Sequence, residues 1–246
     1  DALVPSFAGA LAFAATGLLR YWQVDRQKRW VSLAFSRYVS PEIVEQLAAD
    51  PSKLSLGGET RELTIMFCDI RGFTARAQGM DAQAVVRFLN SIHTPLTEII
   101  LRSGGTVDKY LGDGLMAFWN APHDVPDHAQ RAVTAAIEMQ KAATHINNAL
   151  QNQSGETQPL RLGIGINTGM AFVGNMGSEY RFDYSIVGDA VNIAARLEAL
   201  TKEQAVNIVI SASTVAQCHG FAFVELGGLN LKGRIGETQG FTLGAE

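Results

Sequence analysis

Cysteine is nearly absent from this chain. The 246 residues hold only Cys68 and Cys218. That is too few for a disulfide framework and points to a reducing compartment. Neither cysteine has partners at zinc-ligand spacing, so a zinc site is set aside. A basic excess is also missing: 20 Lys and Arg against 24 Asp and Glu leave a formal net charge of -4. No global positive field recruits nucleic acid, and none is expected as a partner. Low-complexity tracts and repeats are lacking as well, which argues for ordinary packed structure. The length allows one large core, or one domain with a tail.

Charge is scarcest at the start. Ala2 to Leu19 is almost wholly apolar, close to the minimum for a membrane-spanning helix. Arg20, Arg26, Lys28 and Arg29 follow, which favours a cytoplasmic carboxyl-terminal side. Tyr21, Trp22 and Trp30 suit the membrane interface. The alternative is a helix buried against a partner. The chain opens on Asp1 with no basic leader, which reads as a fragment rather than a signal peptide. Residues 21–58 read as a helical connector, with Leu33, Val39, Ile43, Val44 and Leu47 at mostly helical intervals. Ser40-Pro41-Glu42 has the form of a helix start. Asp50-Pro51 and Gly57-Gly58 then mark a boundary. The expected division is a transmembrane helix over 1–20, a signal-transmission connector or simple spacer over 21–58, and a catalytic domain over 59–246.

Within that domain, Glu62 to Cys68 predicts a buried strand. Ala82 to Arg102 predicts a helix with Phe88, Leu89, Ile92, Leu96, Ile99 and Ile100 on its apolar stripe. Thr106–Leu111 and Leu115–Trp119 predict a hairpin around Gly112-Asp113-Gly114. A helix follows from Asp127 to about Leu150, then a polar loop over Gln151–Pro159. Leu160–Asn167 and Met170–Met176 predict a second hairpin, Gly188–Leu200 a helix, and Ser211–Cys218 another. This order is α+β: a ferredoxin-like βαββαβ core with extra strands, an antiparallel-rich sheet and helices on one face.

The chemistry-bearing residues fall at the ends of these elements. Asp69 ends an apolar strand, where a carboxylate needs a partner. Asp113 sits in a Gly-Asp-Gly turn, a place where Asp is ordinary by itself. Together the two could hold a pair of divalent ions about 4 Å apart, the arrangement used for phosphoryl transfer. Oxygen donors suit Mg²⁺ or Mn²⁺. Gly72 permits close backbone approach, and the amides from Ile70 through Phe73 to Thr74 are placed to cradle phosphate oxygens. Lys109 is either an exposed strand cation or a hydrogen-bond donor to a purine edge. Asn192 and Arg196 are four apart and share a helix face. There, Arg can hold a phosphate as charge builds and Asn can orient a sugar. The plain alternative is a solvated helix face, with Val191, Ala195 and Leu197 packed inward.

Four stretches carry a wider resemblance: Phe67-Cys68-Asp69-Ile70-Arg71-Gly72-Phe73-Thr74; Lys109 through Asp113; Gly165-Ile166-Asn167-Thr168-Gly169; and Val187 through Glu198. In this order they make the segment from Glu59 to Leu243 resemble the class III adenylate/guanylate cyclase catalytic domain. The resemblance implies a head-to-tail homodimer with active sites between the protomers. It implies that Asp69 and Asp113, with the backbone at Ile70, bind two Mg²⁺ or Mn²⁺ per site. Lys109 and Ser185 would come from the other protomer and read the base, while its Asn192 and Arg196 position the ribose and stabilise the transition state. The implied reaction converts ATP to 3′,5′-cyclic AMP and pyrophosphate. It needs no protein nucleophile.

Many animal members carry Asp where this chain has Ser185; a bacterial-type branch has Ser or Thr there. A Ser hydroxyl can accept from adenine's amino group but can also donate, so it discriminates less sharply. Lys109 favours adenine, because it can donate to adenine N1 whereas guanine N1 carries a proton. Arg181, Lys232 and Arg234 are further candidates for the triphosphate, against a plain role as turn decoration. The expected activity is that of an adenylate cyclase at the cell membrane, its catalytic domain in the cytoplasm. A guanylate cyclase on the same scaffold and a non-catalytic nucleotide-sensing dimerisation module are the alternatives.

Overall fold

A computed structural model of the chain describes residues 57–154, 159–178, 181–229 and 238–244. The apolar amino-terminal segment, the connector to residue 56, and Lys232 and Arg234 lie outside them. Among the described residues, no helix is long and apolar enough to cross a membrane.

The central strand, β1 (Gly57–Ile70), is built around the apolar run from Ile65 to Cys68. Successive side chains on a strand point to opposite faces, so such a run must be covered on both sides. Met66, Cys68 and Ile70 point into one core. Leu63 and Ile65 point into another, with Phe67 packed against it. A single turn, α1 (Phe73–Ala77), follows, then α2 (Ala82–Arg102). Asp81 caps α2, its side chain accepting from the Ala84 amide at 2.6 Å. The helix buries Phe88, Ile92, Leu96, Ile99 and Ile100, the expected stripe. Next come the hairpin β2 (Gly105–Leu111) and β3 (Gly114–Trp119), and α3 (His128–Ser154). The chain continues through β4 (Leu162–Ser178), β5 (Arg181–Val187), α4 (Asp189–Glu203), β6 (Ile208–Ser211), α5 (Ala212–Val215), β7 (Phe223–Leu229) and β8 (Thr238–Leu243).

The eight strands form one sheet in the order β2-β3-β1-β4-β6-β8-β7, with β5 paired to β4. The first four are mutually antiparallel. With α2 and α3 between them they trace the expected βαββαβ order.

Three expectations need correction. The polar stretch after Leu150 does not begin a loop: α3 runs on to Ser154. The second hairpin is not at Thr168-Gly169. That pair is extended, with Asn167, Thr168 and Gly169 opposite Ile65, Thr64 and Leu63, so β4 is one strand of 17 residues. The hairpin lies further on, where Ser178 pairs with Arg181. Helices do not cover one face alone. α2 and α3 contribute to the core under Met66 and Cys68, whereas Ala190 and Ala194 of α4 pack against Leu63 and Ile65.

Candidate active site

Cross-strand register decides which carboxylates meet. Cys68 on β1 stands opposite Leu115 on β3, which sets Asp69 beside the turn that holds Asp113. A Cβ on Gly114 would lie 3.4 Å from Asp69 Oδ1. Burial pushes the Asp69 carboxyl up, and the neighbouring Asp113 carboxylate pushes it further. Asp69 and Asp113 are therefore brought side by side.

A third carboxylate, Glu198 on α4, stands by this pair. Its pKa is pushed up to about 7, first by burial, then by Asp69, while Arg71 opposes the rise. Sequence reading missed Glu198, although it lies two residues beyond Arg196. Its place follows from how closely α4 meets β4. A Cβ on Gly165 would fall 2.1 Å from the Glu198 amide nitrogen and 2.4 Å from the Ala194 carbonyl, so only glycine lets the helix seat there. Arg71 fixes the end of α4: its Nη2 donates to the Thr201 carbonyl at 2.8 Å and to the Val206 carbonyl. Lys202 also draws the Asp69 carboxyl back down.

Among the described residues, no three His, Cys, Asp or Glu side chains are gathered as a ready metal-binding group. The donor set still fits hard divalent cations. Two carboxylates held against their mutual repulsion are short of positive charge, and their oxygens suit Mg²⁺ or Mn²⁺.

Gly72 adopts a left-handed φ of 72° and leads into α1. Phe73 stacks on Phe88 with ring centroids 6.3 Å apart, while Thr74 is exposed. A helix of one turn has little dipole to offer a phosphate, so any cradle here rests on the amides from Ile70 to Thr74 themselves.

A second cluster forms between β2 and β5. Ser185 is buried, and its hydroxyl donates to Asp108 Oδ2 at 2.8 Å. Asp108 Oδ1 lies 3.6 Å from Lys109 Nζ. Lys109 and Ser185 are thus brought together, with the unforeseen Asp108 carboxylate between them.

The buried face of α4 comprises Ala190, Ile193, Ala194, Leu197, Leu200 and Thr201. Ile193 and Ala194 replace the predicted Val191 and Ala195, which are only half-buried. Asn192 is exposed and Arg196 half-buried. At about 100° per residue, Arg196 projects roughly 160° around the helix from Glu198. It therefore points away from its own chain's Asp69 and Asp113. Arg181 is exposed at the end of the β4–β5 hairpin, its amide donating to Ser178 Oγ at 3.2 Å. Its described contacts join it to neither cluster.

Comparison with known proteins agrees with this geometry. Residues 58–245 match the family described as the adenylate and guanylate cyclase catalytic domain. An adenylate cyclase of Anabaena cylindrica is 35% identical over 212 residues, which covers 84% of this chain but only 41% of that enzyme. The crystal structure of the adenylyl cyclase CyaB from P. aeruginosa superposes with a TM-score of 0.72 at 34% identity, covering 78% of this chain and 97% of that one. The guanylyl cyclase Cya2 gives 0.68 at 35% identity, covering 76% and 94%. On this family match and these relatives, the chain belongs to the adenylate and guanylate cyclase catalytic domain family.

Proposed function

We propose that the chain is an adenylate cyclase that converts ATP to 3′,5′-cyclic AMP and pyrophosphate as a homodimer. The observation that carries the choice of ATP is the joining of Lys109 and Ser185 in one cluster through Asp108. Lys109 can donate to the unprotonated N1 of adenine, and Ser185 can accept from its amino group. A solved guanylyl cyclase at similar identity keeps GTP as the second reading.

Asp69, Asp113 and the Ile70 backbone would hold two Mg²⁺ or Mn²⁺. When bound, the ions supply neutralisation of the triphosphate and lower the pKa of the ribose hydroxyl. The chain's own residues do the rest. Asn192 orients the ribose so that its 3′ oxygen lies in line with the α-phosphorus. The new bond forms there as the bond to the pyrophosphate oxygen breaks, and the hydroxyl proton passes to solvent. Arg196 stabilises the negative charge that builds on the phosphate oxygens. Ile70 to Thr74 offer amides to the phosphates, and Arg181, Lys232 and Arg234 are further triphosphate contacts.

Each site needs Arg196 and Asp69 together, yet within one chain they point apart. That opposition supports a shared site, with one protomer's Lys109, Ser185, Asn192 and Arg196 facing its partner's carboxylates. The apolar 1–20 segment supports membrane attachment with the catalytic domain on the cytoplasmic side.

Product analysis tests the proposal. The purified protein, given ATP or GTP with Mg²⁺ or Mn²⁺, is expected to form cyclic AMP from ATP in preference to cyclic GMP from GTP. Preferential cyclisation of GTP would install the guanylate reading, and no product from either would return the chain to a non-catalytic module.

A further inference from the structure

Asp108 occupies an irregular position. Val107 pairs with Ala117 and Lys109 with Met116, which leaves Asp108 as the extra residue of a β-bulge. Bulges re-aim side chains, and this one presents a carboxylate to β5. The Asp108 side chain is 0% exposed. Its Oδ2 accepts from the Ser185 hydroxyl, and its Oδ1 has no hydrogen-bond partner, with the Lys109 ammonium 3.6 Å away. A buried carboxylate in a strand is costly unless it performs a task or is well paired.

A serine hydroxyl has one hydrogen to give and lone pairs to accept with. Free, it suits the amino group of adenine and the carbonyl of guanine equally. Once its hydrogen is committed to a carboxylate, only acceptance remains. We infer that Asp108 is a specificity-determining positioning residue, which holds Ser185 as an acceptor and thereby selects a purine bearing an exocyclic amino group at C6 over one bearing a carbonyl. Burial and, more weakly, the Asp183 carboxylate favour the protonated carboxyl, while the Ser185 hydroxyl and the Lys109 ammonium favour the ionised form that this role requires.

The inference rests on the adenylate cyclase reading, and its test separates the two. The full chain is assayed for kcat/KM with ATP and with inosine triphosphate, in which a carbonyl replaces the amino group. Wild type, Asp108→Asn, Ser185→Ala and the double variant are compared. The wild-type ratio judges the adenylate reading. The change from wild type to Asp108→Asn judges Asp108, because the amide can donate to Ser185 and free its hydrogen. Asp108→Asn is expected to narrow the ATP preference by about tenfold, the worth of one misdirected hydrogen bond. Most of the change should lie in KM for ATP. The double variant is expected to narrow it no further than Ser185→Ala alone. An equal fall with both substrates, or fully additive effects in the double variant, would overturn the inference. Where the amide variant folds poorly by circular dichroism, Asp108→Ala removes the acceptor without adding a donor, and the same narrowing is expected.

Discussion

Asp113 works against Asp69 when no cation is present, since its carboxylate adds to the cost of ionising its neighbour. A carboxyl with a raised pKa contributes most to stability below its ordinary range and loses that contribution as pH rises. At neutral pH the metal-free protein should therefore carry a penalty at this pair. Asp113→Asn is expected to raise the Tm of the metal-free protein slightly. The same variant should lose the added stability that Mn²⁺ with nucleotide confers on wild type. Its cyclase activity should fall by at least about 100-fold, the scale for removing a principal electrostatic contributor. Thermal scans with and without Mn²⁺, beside a product assay, check all three. A lower metal-free Tm would contradict the repulsion argument. Both aspartates were legible in the sequence because strand end and Gly-Asp-Gly turn are local signals. Glu198 and Asp108 were not. Glu198 meets the pair only because Gly165 admits α4, and Asp108 turns toward Ser185 only because β2 bulges beside it.

The same contrast holds for elements. α2 was readable end to end, since its apolar stripe from Phe88 to Ile100 recurs at intervals of three or four residues, a local signal. β4 was not, because Asn167-Thr168-Gly169 has turn composition. What keeps it straight is long-range: backbone pairing to β1, and a run of hydroxyls through the core. Thr64 bonds Thr168 at 2.8 Å, Thr168 bonds Thr214 at 2.9 Å, and Thr64 bonds His128 Nδ1 at 2.7 Å. No local rule foresees such a chain. Burial holds the His128 pKa below its ordinary value although Glu62 and Asp127 oppose this. The folded state thus takes up a proton there less readily than the unfolded one. Stability should be fully present above pH about 6.5 and decline as pH falls below it. Urea unfolding at pH 5.5 and 7.5 checks this, and His128→Gln should flatten the difference. At the helix–sheet contact, Gly165→Ala forces a Cβ into the backbone of α4. A loss of about 1–3 kcal/mol is expected, the usual range for overpacking, along with most activity. Unchanged unfolding would show that α4 can retreat at no cost.

At the scale of the molecule, what matters is that α4 points Glu198 inward and Arg196 elsewhere. If sites are shared between protomers, two separately inactive proteins can complement. Asp69→Asn has intact Lys109, Ser185, Asn192 and Arg196; Arg196→Ala has intact carboxylates. Mixed, they should regain up to about half the activity per heterodimer, because one of the two sites at the interface recovers both halves. Verified heterodimers with no activity would contradict the shared site.

One continuous strand ties these scales together. β4 carries Gly163 opposite Asp69 and Gly174 opposite Ser185, with no break between. Insert a single residue inside that span and every side chain beyond it would swap faces. Insert two and the faces would survive while the gauge changed length. Within each chain, the carboxylate pair at Asp69 and the Asp108–Ser185 cluster are thus spaced by a ruler of covalent backbone, and loops elsewhere are free to grow or shrink without altering what it measures.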